Sequence, residues 1–120
     1  MKIRIHRNSV RFRLSKTEVS LLENEGHLEE ITDFGSAQLR YAVAKSAGAD
    51  LQARFEQNKI TLDVPGKLLA GWAANNTVGF EGNMLLGDGS SLFMLIEKDF
   101  KCLDNVDEDQ SDNYDNPKSC

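Results

Sequence analysis

Residues Ile3–Leu22 read IRIHRNSVRFRLSKTEVSLL, and this stretch decides the fold. Polar and apolar residues alternate through Ile3 and Ile5, then again through Val10, Phe12 and Leu14, with Arg7-Asn8 between the two runs. A period of two marks strands with one buried face. A two-residue break containing Asn marks a hairpin turn, because Asn tolerates the positive φ that such turns require. Pairing across that turn sets Ile5 opposite Val10, Ile3 opposite Phe12, Arg4 opposite Arg11 and Lys2 opposite Arg13. Ser15-Lys16-Thr17-Glu18 then matches a capping box, in which the Ser hydroxyl and the Glu carboxylate satisfy each other's backbone N–H groups. Gly26 is placed to end the helix in a left-handed conformation, which predicts a helix over Lys16–Glu25.

The pattern returns fifty residues later without a gap. Ile3 and Ile5 recur as Ala53 and Phe55, and Asn8 as Asn58. Val10, Phe12 and Leu14 recur as Ile60, Leu62 and Val64, and Val19 and Leu22 as Leu69 and Trp72. A fixed offset is the mark of an internal duplication. His27–Phe34 and Ala37–Lys45 read as a second hairpin turned at Gly35-Ser36. Pro65 stands in the place of Ser15, at the start of a helix expected to reach about Ala74. Thr77–Asn83 and Leu92–Asp99 supply the last strand pair. The expected fold is α+β and mainly β: two β-β-α-β-β pseudo-repeats, 1–47 and 51–98, packed as one barrel-like domain over residues 1–98.

Residues 99–120 differ in kind. They hold seven Asp or Glu against two Lys, and too little apolar area to offset the ordering of their backbone. An acidic tail is expected, disordered or docked on the surface through Phe100, Leu103 and Tyr114.

The whole chain has 120 residues, 40% hydrophobic and 28% charged, with a formal net charge of −5. These are ordinary values for a soluble domain. No apolar run nears the roughly 20 residues of a membrane span, and no apolar segment follows the N-terminus as a secretory signal would. The two cysteines, Cys102 and Cys120, do not form a CxxC pair. A reducing, cytoplasmic setting is expected, for a monomer or homodimer.

Charge is distributed unevenly. Lys2, Arg4, Arg7, Arg11 and Arg13 lie within the first thirteen residues, with no acid among them. Like charges directly opposite on a sheet cost a few tenths to about 1 kcal/mol per pair. An anion seated on that face removes the cost, which makes these five residues the candidate anion or partner site. The tail carries an equal and opposite formal charge and is one possible occupant.

Chemistry of other kinds is thinly represented. Asp107, Asp109 and Ser111 stand at the first ligand spacings of a calcium loop, but Asp112 replaces the required Gly and Lys118 the bidentate Glu. No metal and no cofactor is expected. His6 and His27 lack ligand spacing, Cys102 has no base beside it, and Glu29-Glu30 point to opposite faces of a strand. No catalytic constellation emerges, so the expectation leans away from an enzyme.

Two resemblances add to this reading. The runs Lys59-Ile60-Thr61-Leu62-Asp63-Val64-Pro65, Lys67-Leu68-Leu69, Val78-Gly79-Phe80 and Leu92–Lys98 resemble the swapped-hairpin domain of AbrB and MazE-type transcription factors. That resemblance implies a single-chain version of a paired barrel and a DNA-binding regulator or antitoxin. The family's DNA-contacting arginines sit in the first strand pair of both copies, whereas here Arg11 and Arg13 become Thr61 and Asp63. The ending Glu97-Lys98-Asp99-Phe100, Cys102-Leu103-Asp104, Glu108–Tyr114 and Asn116-Pro117 resembles a family of small bacterial proteins of unknown function. The expected role is a non-enzymatic binding or regulatory module whose basic hairpin meets an acidic protein segment, nucleic acid or its own tail. A small ligand-binding or enzymatic barrel is the alternative.

Overall fold

The structure is a computed structural model and describes residues 1–100 and 112–114. Among the described residues eight strands and two helices follow in order: β1 (Lys2–His6), β2 (Ser9–Leu14), α1 (Lys16–Glu25), β3 (His27–Asp33), β4 (Gln38–Ser46), β5 (Gln52–Glu56), β6 (Lys59–Pro65), α2 (Gly66–Leu69), β7 (Gly79–Leu85) and β8 (Ser91–Lys98).

Local signals built the first unit as read. β1 and β2 pair in the expected register, Ile5 with Val10 and Arg4 with Arg11. The Ser15 side chain accepts from the Glu18 N–H while Glu18 accepts from the Ser15 N–H at 2.9 Å. Gly26 ends α1 at φ 79°, donating to the Leu22 carbonyl. In the β1–β2 turn the positive φ falls on Arg7 (51°) rather than on Asn8, whose side chain instead donates to the Ser91 carbonyl at 2.7 Å.

The barrel expectation is corrected. The strands form two four-stranded sheets, ordered β1-β2-β8-β7 and β3-β4-β6-β5, and neither closes on itself or on the other. Each sheet joins two antiparallel hairpins through one parallel pair, β2 with β8 and β4 with β6. The first hairpin therefore shares a sheet with the last, and among the described residues β1, β7, β3 and β5 remain edges.

The second helix is also shorter than expected. It stops at Leu69, because Ala70 turns extended (ψ 116°) and Gly71 takes φ 77°. The Glu23 carboxylate, arriving from α1, accepts from the Gly71 and Ala73 N–H groups at 2.8 and 2.9 Å and fixes a turn where a third helical turn was expected. Those two bonds hold Glu23 below the usual carboxylate range.

The core lies where the inner faces of the sheets meet the helices. Phe12, Leu14, Leu62, Val64, Met94 and Ile96 are fully buried from the sheets, and Val19, Leu22, Leu69 and Trp72 close over them. Each such side chain contributes about 1.5–3 kcal/mol through removal from water. The Trp72 ring packs on Phe80 with centroids 5.0 Å apart, and its N–H donates to the Thr77 carbonyl. Leu21 is exposed on α1, and Ile5 is 61% exposed although it points to the inner side.

Candidate functional site

Alternation along β1, β2 and β8 puts Lys2, Arg4 and His6, then Ser9, Arg11 and Arg13, then Phe93, Leu95 and Glu97 on one outer face. The parallel β2–β8 register sets Glu97 beside Arg13. Glu97 accepts from Arg13 Nε at 2.8 Å and lies 3.8 Å from Arg11 Nε. Lys2 meets Asp99 at 3.0 Å. Three of the five predicted cations are thus compensated by acids that immediately follow or end β8. Arg4 and Arg7 have no ion-pair partner among the described residues, and Arg4 faces Arg11 directly.

Fifty residues on, the arginine at the place of Arg4 behaves differently. Arg54 on β5 donates twice to Asp63, at 2.9 and 3.2 Å, and meets Glu56 at 3.5 Å. These contacts raise the Arg54 pKa. Further across that sheet Glu29 is held by Lys59 at 2.7 Å and Arg40 at 3.3 Å, which together keep it below the usual carboxylate range. One outer sheet face is internally neutralised, and the other keeps uncompensated positive charge toward the β1–β2 turn.

Two hollows adjoin that turn. On the outer face a cavity of 160 Å³ is lined by Arg4, His6, Ser9, Val10, Arg11 and Phe93. Its donors suit a small anionic group; the Ser9 hydroxyl is already committed to the His6 carbonyl at 2.6 Å. On the inner side a cleft of 540 Å³ runs between the two sheets, with Ile5, Val10, Ala53, Phe55, Ile60 and Met84 in its walls and Arg7 at its rim. Ile5 and Phe55, at 61% and 70% exposure, form its lips. Sequence alternation marks Ile5 as inward but carries no sign that the facing sheet stops short of covering it.

The tail residues that are described lie at the opposite end of the hairpin. Tyr114 N–H donates to the Asp99 carbonyl at 2.8 Å, and its ring tilts against Phe100 with centroids 5.7 Å apart. Asp112 accepts from the Thr17 hydroxyl at 3.1 Å at the start of α1, and its backbone carbonyl accepts from the Lys16 N–H. Asp112 and Asn113 line one hollow with Lys2 and Arg13. Leu103, Asp107, Asp109 and Ser111 lie outside the described residues. Among the described residues no group of three His, Cys, Asp or Glu is gathered to hold a metal, and no helix is long and apolar enough to cross a membrane.

Lys98, which sequence reading passed over as a strand residue, is only 4% exposed. Its ammonium donates to the Asn75 carbonyl at 2.7 Å and sits 5.0 Å over the Tyr114 ring and 5.8 Å over Trp72. Burial lowers its pKa, since among the described residues no carboxylate pairs with it. Burial, and then Asp112, raises that of Tyr114.

No match is found among curated proteins or among solved structures. A family pattern covers residues 1–118, described as a family of unknown function (DUF7009), and the chain belongs to that family.

Proposed function

We propose that this member of the DUF7009 family is a non-enzymatic binding module that holds an acidic protein segment at the turn end of its first hairpin. The observation that carries this reading is the contrast between Arg4 and Arg54. Arg54 is clamped by Asp63 at 2.9 Å, whereas Arg4, fifty residues earlier, faces Arg11 and has no acid among the described residues. An incoming carboxylate relieves that opposition and gains charge-assisted hydrogen bonds.

A protein segment suits the site better than nucleic acid. Arg13 and Lys2 are already paired with Glu97 and Asp99, and those acids repel a run of phosphates. Two uncompensated arginines form a small footprint against the six to ten phosphate contacts common in DNA binding, and the net charge of −5 opposes a polyanion at longer range. The tail is a weaker occupant of the turn, since its described residues reach the Lys2 end of the hairpin. The two β-β-α-β-β stretches are read here as an internal duplication in which only the first copy kept a binding face.

The test is fluorescence anisotropy with a labelled acidic peptide over a salt series, using the native chain and Arg4→Glu/Arg7→Glu. Micromolar binding that weakens with salt and falls at least about tenfold in the variant supports the reading. Binding to mixed DNA that exceeds binding to the peptide refutes it.

A further inference from the structure

We propose that the free edge of β1 accepts an extended segment in which acidic and apolar residues alternate, adding a strand to the β1-β2-β8-β7 sheet. This rests on the reading of the first hairpin as the contact for an acidic protein segment, and it specifies that segment's form.

β1 ends its sheet, with no backbone bond from Ile3–His6 to any further strand among the described residues. The Arg7-Asn8 turn makes His6–Ser9 the closing pair, which exchanges both ladder bonds. By alternation Arg4–Arg11 and Lys2–Arg13 are bonded pairs as well, so the N–H and C=O of Ile3 and Ile5 point away from the sheet. An added antiparallel strand bonds to those groups. Its residues opposite Lys2, Arg4 and His6 then stand at non-bonded positions, where Cα atoms approach to about 4.5 Å and side chains meet most closely.

The two faces of β1 demand different side chains. On the outer face Arg4, which faces Arg11 with no acid beside it among the described residues, calls for an acid, whereas Lys2 already meets Asp99. On the inner face Ile5 forms a lip of the 540 Å³ cleft together with Phe55, so apolar residues beside Ile3 and Ile5 extend the core. Strict alternation of acid and hydrophobe answers both. A second copy of this chain is disfavoured at this edge, because β1 against β1 sets Lys2, Arg4 and His6 against themselves.

The probe is a synthetic peptide of about ten residues alternating Asp or Glu with Val or Ile. Its control has the same composition in two blocks, one acidic and one apolar. The full chain is used, with binding followed by anisotropy and amide exchange followed by NMR. Strand addition gives at least about tenfold tighter binding of the alternating peptide. It also slows exchange of the Ile3 and Ile5 amides, and the affinity is lost when the peptide amides opposite them are methylated. Ile5→Asp, at an exposed position that leaves the thermal midpoint near native, weakens the alternating peptide more than the block one. Equal, salt-sensitive binding of both peptides overturns strand addition and leaves the acidic-segment reading standing. Binding of neither overturns both. Ile3 and Ile5 amides already protected in the free chain, or self-association that Arg4→Glu abolishes, overturns the external partner in favour of the chain's own tail or a second copy.

Discussion

Glu97→Gln removes the anion that sits between Arg11 and Arg13 and leaves the side-chain shape almost unchanged. The contact to Arg13 is 2.8 Å, with the two side chains 43% and 19% exposed, so it belongs to the screened regime of surface pairs. Such a pair contributes about 0.5–1 kcal/mol, and the longer contact to Arg11 adds a few tenths. Its loss also uncovers the opposed cations Arg4–Arg11 and Lys2–Arg13, at roughly a few tenths of a kcal/mol each. Together the variant is expected to be about 1–2 kcal/mol less stable, a fall of roughly 3–8 °C in the thermal midpoint. Thermal unfolding by circular dichroism at about 20 mM and about 500 mM salt measures this, and the deficit shrinks at high salt because screening acts on every one of its parts. The same variant should bind an acidic peptide more tightly than the native chain, since one competing anion is gone. A midpoint that is unchanged or higher at low salt refutes the reasoning.

Three further perturbations probe other parts of the fold. Gly79→Ala places a Cβ 2.3 Å from the Ile96 carbonyl oxygen and 2.8 Å from Glu97 Cα, both on the neighbouring backbone, so a loss of about 1–3 kcal/mol in denaturant unfolding is expected. Lys98 has a folded pKa below its ordinary 10.5, so the unfolded chain binds more protons between the two values and native stability rises with pH there. Lys98→Met should keep or raise the neutral-pH midpoint and lose that rise, checked by unfolding from pH 7 upward. Hydrogen bonds from Ser15 and then Thr17 hold the Asp112 carboxyl below its ordinary 3.8. A depressed carboxylate stabilises above its unfolded pKa and loses that contribution as pH falls through the folded one, so Asp112→Asn should flatten the acid limb of the midpoint-against-pH curve.

What the sequence revealed was local. The β1–β2 register, the Ser15–Glu18 box and the Gly26 cap depend on neighbours within a few residues, and each stands as the spacing implied. What it concealed depends on contacts distant in the chain. Nothing in the spacing of Arg13 shows that β2 will lie parallel to β8, so the pairing with Glu97 and the narrowing of the basic site to Arg4 and Arg7 were hidden. The early end of α2 needs Glu23 to arrive from the first helix, and its own apolar spacing argues for a longer one. Separate sheets replace a closed barrel because the edges fall at β1, β7, β3 and β5, a matter of strand order that periodicity does not encode. Ile5 has the pattern of a core residue and becomes the lip of a cleft for the same reason. Lys98 reads as a polar strand end until Trp72 and Tyr114 enclose it.

The most direct measurement is a charge swap between Arg4 and the peptide. Dissociation constants are taken by anisotropy at low salt for native chain and Arg4→Glu, each with the acidic alternating peptide and with one whose central acid is replaced by Lys. The expected result is a loss of at least about tenfold for either change alone and recovery to within a few-fold of native when both are made, since the contact is restored with its sign reversed. Arg4→Glu that binds the acidic peptide as well as the native chain does, or a double change that recovers nothing, contradicts Arg4 as the contact.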